Sequence, residues 1–158
     1  FIDLFLQKCG ISLADESSFR RNSKGHTPLI AFVAAINEDV EEAYATRVVE
    51  ILLQNSCPID AQISASAHKK EQDKDSEQVD ERGYTAFMHL CMSRAYTKTT
   101  RTLIELFVGK YKCNTSIKNY KQKTALGLVE EQVNRKSAIS NIYEFRAKFM
   151  REVLKIQQ

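Results

Sequence analysis

The sequence predicts an all-α solenoid, in which helical pairs stack side by side and share one apolar interior. Two observations lead there. The segment Asn22-Ser23-Lys24-Gly25-His26-Thr27-Pro28-Leu29 returns in altered form as Asp80-Glu81-Arg82-Gly83-Tyr84-Thr85-Ala86-Phe87, and more faintly as Asn119-Tyr120-Lys121-Gln122-Lys123-Thr124-Ala125-Leu126. Each copy is followed by an apolar helix-like run, and the first two by a second run, Val48-Val49-Glu50-Ile51-Leu52-Leu53 and Leu103-Ile104-Glu105-Leu106-Phe107-Val108. A unit of one turn and two short helices buries its apolar faces only by stacking on its neighbours.

In chain order, Phe1-Ile2-Asp3-Leu4-Phe5-Leu6-Gln7-Lys8 reads as the second helix of a partial repeat over residues 1–18. The first full repeat spans 19–62. Its Thr27-Pro28 pair predicts a helix start, because the hydroxyl accepts an orphan backbone N–H and proline lacks the donor that would be orphaned anyway. The following Leu29, Ile30, Phe32, Val33, Ala34 and Ile36 are apolar almost all round, as an inner helix packed on both sides requires. Residues 47–54 instead place Glu50 and Gln54 on one side and aliphatics on the other, which predicts an outer helix.

The turn threonines stand at 27, 85 and 124, giving steps of 58 and 39. The excess is assigned to an insertion at 36–46 and to a polar loop at 63–79. From Ser64 to Gln78 the loop has no large apolar residue, so burial cannot offset its ordering entropy and it is expected to be a flexible linker, a short solvated helix being the alternative. The second repeat covers 80–118. The last part, 119–158, is a degenerate repeat followed by a long amphipathic helix over 137–158, with Ile139, Ile142, Phe145, Phe149, Val153 and Ile156 as its predicted buried stripe. Arg146, Lys148, Arg151 and Lys155 are assigned to its solvent face, and the helix is expected to cap the stack.

These segments resemble the ankyrin repeat, whose signature is a β-turn followed by T-P-L-H-x-A in units of about 33 residues. Gly25, Thr27, Pro28 and Leu29 match in the first copy, Gly83 and Thr85 in the second, and Thr124 and Leu126 in the third, where Gln122 replaces the turn glycine. Ile30 and Met88 occupy the slot of the family histidine, so its usual hydrogen bond to neighbouring turns is not expected. The resemblance covers roughly residues 1–130 and implies one domain over 1–158. It further implies that the turn tips, with the inner helices, line a concave groove that receives a partner protein. The tips are Ser23, Lys24 and His26, then Glu81, Arg82 and Tyr84, then Tyr120, Lys121 and Lys123. The expected partner-binding residues are Lys24, His26, Arg82, Tyr84, Tyr120, Lys121 and Lys123, with the tyrosines as anchors and the bases as charge partners for an acidic or peptide-like segment.

Composition narrows the remaining classes. The 158 residues are 43% hydrophobic and 27% charged, enough to bury roughly two-thirds of the unfolded surface in one domain. No run of ~18 apolar residues suits a membrane span and no signal-peptide layout opens the chain. The half-copy and missing initiator methionine are read as marks of a piece of a longer protein. Cys9, Cys57, Cys91 and Cys113 lack ligand spacing, so no metal site is expected, and Cys57 and Cys91 read as packed thiols. Isolated cysteines point to a reducing compartment, cytoplasmic or nuclear, and Asn114-Thr115-Ser116 is then a coincidental acceptor sequence.

His26, His68 and His89 accompany no nucleophile motif, and the glycines form no phosphate loop. No enzymatic activity, cofactor or small-molecule substrate is expected, and protein recognition is the reading adopted. The alternatives are a nucleic-acid-binding module or a structural spacer. A net charge of +3 spread over tips, loop and terminal helix, rather than gathered on one stripe, counts against nucleic acid.

Overall fold

The computed structural model of the protein describes residues 21–64, 80–135 and 140–155. The partial repeat at 1–18, most of the polar loop and both ends of the terminal helix lie outside them. Within the described residues the secondary structure is helical: α1 (Pro28–Ala34), α2 (Glu42–Gln54), α3 (Ala86–Met92), α4 (Lys98–Gly109), α5 (Ala125–Asn134) and α6 (Ser140–Lys155), with no strand.

Local chemistry sets where the helices begin. Thr27, Thr85 and Thr124 are the N-caps of α1, α3 and α5, each in extended backbone, and their hydroxyls accept from the amides of Ile30, Met88 and Gly127. An N-cap threonine satisfies one of the four amides that a helix start leaves unpaired. Thr97 caps α4 more fully, because its hydroxyl accepts from the Thr100 amide while Thr100 Oγ1 accepts from the Thr97 amide. Helix α2 begins at Glu42, so residues 42–46, assigned above to the insertion, form its first turn. Only Ala35 to Glu41 joins α1 to α2.

The helices lie in two rows. One runs α1, α3, α5, with α3 touching both others; the second runs α2, α4, α6, with α4 touching both others. Cross contacts join α1 to α2, α3 to α4 and α5 to α6. Position in the row explains the burial pattern. Helix α3, enclosed by α1, α4 and α5, buries every residue from Ala86 to Cys91. Helix α2 buries one face through Ala45, Val48, Val49, Ile51 and Leu52 and sends Glu50 to Nζ of Lys110, the C-cap of α4, 2.7 Å away. One continuous cluster, from Leu29 and Val49 through Leu90, Leu103 and Phe107 to Val129 and Met150, runs through the rows.

Helix α6 corrects the reading of the terminal stripe. Of the predicted stripe, Val153 is buried and Phe149 half-buried against the core, but Ile142 and Phe145 are 41% and 71% exposed, and Tyr143, Arg146, Ala147 and Met150 are buried instead. The helix is thus rotated from the predicted face: small Ala147 lets α6 approach, and Arg146, expected in solvent, enters the interior. Its guanidinium lies against the rings of Tyr96 and Tyr143 at 4.7 and 4.9 Å. Burial lowers its pKa from the usual guanidinium value, partly offset by Tyr143. Of the described residues, no helix is long and apolar enough to cross a membrane.

Candidate partner-binding face at the turn tips

The three turns share one construction, five residues ahead of each threonine. Asn22 Oδ1 accepts from the amides of Lys24 and His26, Asp80 Oδ1 from that of Arg82, and Asn119 Oδ1 from those of Lys121 and Lys123. A short side chain with an oxygen three bonds from Cα closes such a turn locally. Three residues on, the chain enters left-handed backbone at Gly25 (φ 73°), Gly83 (φ 76°) and Gln122 (φ 59°). Glycine adopts this region freely, and a residue with a Cβ does so at a cost. Closing bonds repeat as well: Gly25 N–H to Asn22 O at 2.8 Å and Gln122 N–H to Asn119 O at 2.9 Å.

Neighbouring tips are tied edge to edge. The Tyr120 amide donates to Arg82 O at 3.1 Å, and Gln62 Nε2 donates to both Gly83 O and Lys118 O at 2.8 Å. Arg21 Nη1 reaches Gly25 O and Gln62 O, both at 2.9 Å. Ile63 pairs with the second turn through its amide to Tyr84 O and its carbonyl to the Gly83 amide. The tips therefore stand as a fixed row.

The row does not present every residue assigned to it. Lys24, Tyr120, Lys121 and Lys123 are exposed, and Arg82 is partly so. His26 and Tyr84 are corrections: both are buried, because the residue just before Thr27 and Thr85 turns its side chain inward beneath the tip. They offer no surface to a partner. Arg82 is held in plane by two 2.8 Å bonds to Asp80 and lies over the Tyr120 ring at 4.5 Å. Tyr120 is 62% exposed, so this pair forms a flat amphipathic platform linking the second and third tips. Arg82 draws the Asp80 carboxyl down to about 2.

Beneath the tips lies a group that the sequence spacing kept apart. Glu81 Oε2 is 3.7 Å from His26 Nε2 and 4.0 Å from His89 Nε2, and the two imidazoles meet edge to face at 5.5 Å. Tyr84 packs on His89 with ring centres 5.4 Å apart. Burial, with His26 beside it, pushes His89 down to about 4, and burial next to Glu81 pushes Tyr84 up to about 12. These residue types can hold a metal ion; no sequence signal marks them, since they are not near neighbours in the chain.

A second concavity lies along the outer row, about 580 Å³, lined by Tyr96, Arg101, Ile142, Phe145, Lys148 and Phe149 among others. Its exposed apolar members are the residues that the rotation of α6 leaves outside. Comparison with family models, curated proteins and solved structures gives no match for this chain.

Proposed function

We propose that the chain is a divergent ankyrin-repeat module, non-catalytic, that binds an acidic segment of another protein along its row of turn tips. The carrying observation is the common register of the tips: an Asx closure five residues before the threonine, a left-handed residue two before it and a threonine cap, repeated at Thr27, Thr85 and Thr124. The two-row helix contacts and the single continuous interior support the same reading. Steps of 58 and 39 residues depart from the family period, so this module carries insertions.

Recognition on this reading rests on the Arg82–Tyr120 platform flanked by Lys121, Lys123 and Lys24. The guanidinium offers donors beyond those spent on Asp80, and the exposed phenol ring supplies apolar area with little rotamer entropy to lose. Scattered lysines at the rim steer an acidic partner by its charge. A panel of acidic and neutral peptides, with a captured partner where one is obtained, tests this directly. Tyr120→Ala and Lys121→Glu/Lys123→Glu are expected to weaken binding at least about tenfold, with unchanged thermal unfolding. Equal affinity for acidic and neutral peptides, or binding untouched by these changes, would remove the tips from consideration.

A further inference from the structure

We propose that His26, Glu81 and His89 form a binding site for a divalent ion of the Zn²⁺ class, which clamps the first turn to the second. One ligand atom from each residue lies within 4.8 Å of the others. Around a four-coordinate ion with bonds of about 2.1 Å, ligand atoms stand about 3.4 Å apart, so closure needs a shift on the order of an ångström. The carboxylate is suited to supply it: the Glu81 side chain is 34% exposed, while His26 and His89 are fixed at 6% and 8%.

His89 gives the independent indication of a ligand. Its Nε2 is fully buried, and among the described residues no hydrogen-bond partner reaches it. The nearest carboxylate oxygen, at 4.0 Å, is too distant for a hydrogen bond. An ion seated between imidazoles and carboxylate would coordinate that nitrogen. A buried water bridging His89 to Glu81 is the competing occupant.

The donor set decides the class. Two imidazole nitrogens and one carboxylate oxygen suit Zn²⁺ and its late first-row neighbours, whereas Mg²⁺ and Ca²⁺ take oxygen ligands. Three protein ligands with a partly exposed carboxylate leave a fourth position for water. His26 belongs to the first turn, and Glu81 and His89 to the second unit, 55 and 63 positions further along. A bound ion therefore cross-links successive units below the tip row. The inference stands independently of the partner reading, since it rests on interior side chains.

The test uses the full chain stripped with a chelator, then titrated with Zn²⁺ in competition with a chromophoric chelator, with Co²⁺ as a spectroscopic probe. The expected result is one ion per chain at micromolar Kd or tighter, visible Co²⁺ bands of four-coordinate nitrogen and oxygen ligation, and a Tm higher by roughly 5 °C at saturation that EDTA reverses. Glu81→Gln, partly exposed and near-isosteric, should keep the fold and weaken Zn²⁺ binding at least about tenfold. His89→Gln should abolish it, and if that variant fails to fold, His26→Asn takes its place. His68→Ala should change nothing. No stoichiometric uptake, or uptake unaltered by Glu81→Gln, would overturn the site and leave water as the occupant.

Discussion

Arg146 Nη1 donates a 2.6 Å hydrogen bond to the carbonyl oxygen of Cys91, so the last helix caps the end of α3. Cys91 carries one of the final carbonyls of α3, which have no partner within that helix. A cation there also meets the negative end of the helix dipole. Among the described residues the buried guanidinium meets this carbonyl through Nη1 and the faces of Tyr96 and Tyr143, while its Nε and Nη2 have no hydrogen-bond partner and no carboxylate forms an ion pair with it. Arg146→Ala is expected to cost about 3 kcal/mol, combining a cavity with an orphaned buried carbonyl. Arg146→Lys should recover part of it, because lysine donates to the carbonyl but lacks the flat group that fits between two rings. Urea unfolding of the three proteins measures both differences.

The left-handed residue of each tip gives a pair of opposite effects. At Gly83 a Cβ would stand 2.8 Å from the Tyr120 amide nitrogen, in a backbone at φ +76°. Gly83→Ala should destabilise by about 2 kcal/mol and loosen the second tip from the third. Gln122 already bears a Cβ at φ 59°, and Gln122→Gly should stabilise by about 0.5–1 kcal/mol. Thermal unfolding of the two variants checks the signs.

Asp80 makes the second tip acid-sensitive. Its carboxyl is drawn from 3.8 to about 2, chiefly by hydrogen bonding to Arg82. A carboxylate with a depressed folded pKa adds stability above its unfolded pKa and loses it as the pH falls through the folded value. Asp80→Asn is a clean probe, because Asn22 and Asn119 close the other tips with an amide oxygen. Wild type should exceed Asp80→Asn in stability at pH 6, and the difference should shrink as the pH falls from about 4 towards about 2. Solvent at the pair keeps the effect small.

Thiol chemistry reports the shared interior. Cys57, Cys91 and Cys113 are buried and free. Burial raises all three thiol pKa values, that of Cys113 to about 12. Since the thiolate is the reactive form, alkylation of these positions in the native protein should be at least about a hundredfold slower than in urea. Peptide mapping after timed labelling distinguishes them.

The starts of α1, α3 and α5 were legible because their cause is local: a threonine beside a turn satisfies amides three residues away, and Thr27, Thr85 and Thr124 all do so. Helix α2 is N-capped by Glu41 without a side-chain bond, and it begins earlier than the sequence predicts. The all-helical class followed from the apolar runs after each turn and is what the described residues contain. The face of α6 was not legible. Ile142 and Phe145 continue to Phe149 and Val153 as regularly as Tyr143 and Ala147 continue to Met150, and the surfaces of α4 and α5 bury the second set and only the far end of the first. A hydropathy count also assigns Arg146 to solvent, since its carbonyl partner lies 55 positions away.

Of the tip residues, the exposed Lys24, Tyr120 and Lys121 could be placed from turn position alone. Lys123 is exposed at the position, just before the threonine, where His26 and Tyr84 are buried. These three could not be so placed, because which way a residue points at the foot of a turn depends on the helix beneath it. The restraint of Arg82 by Asp80 was nearer to hand, two residues apart in one turn. The convergence of His26, Glu81 and His89 depends on stacking between units and leaves no trace in local spacing.

On the proposed reading the tip row receives a partner. Hydrogen–deuterium exchange of the full chain, with and without a bound acidic protein or peptide, separates the tips from the outer concavity as the place of contact. Slowed exchange confined to 22–26, 80–84 and 119–123 is the predicted result. Protection on α4 and α6 around Phe145, with the tips exchanging as in the free protein, would contradict it.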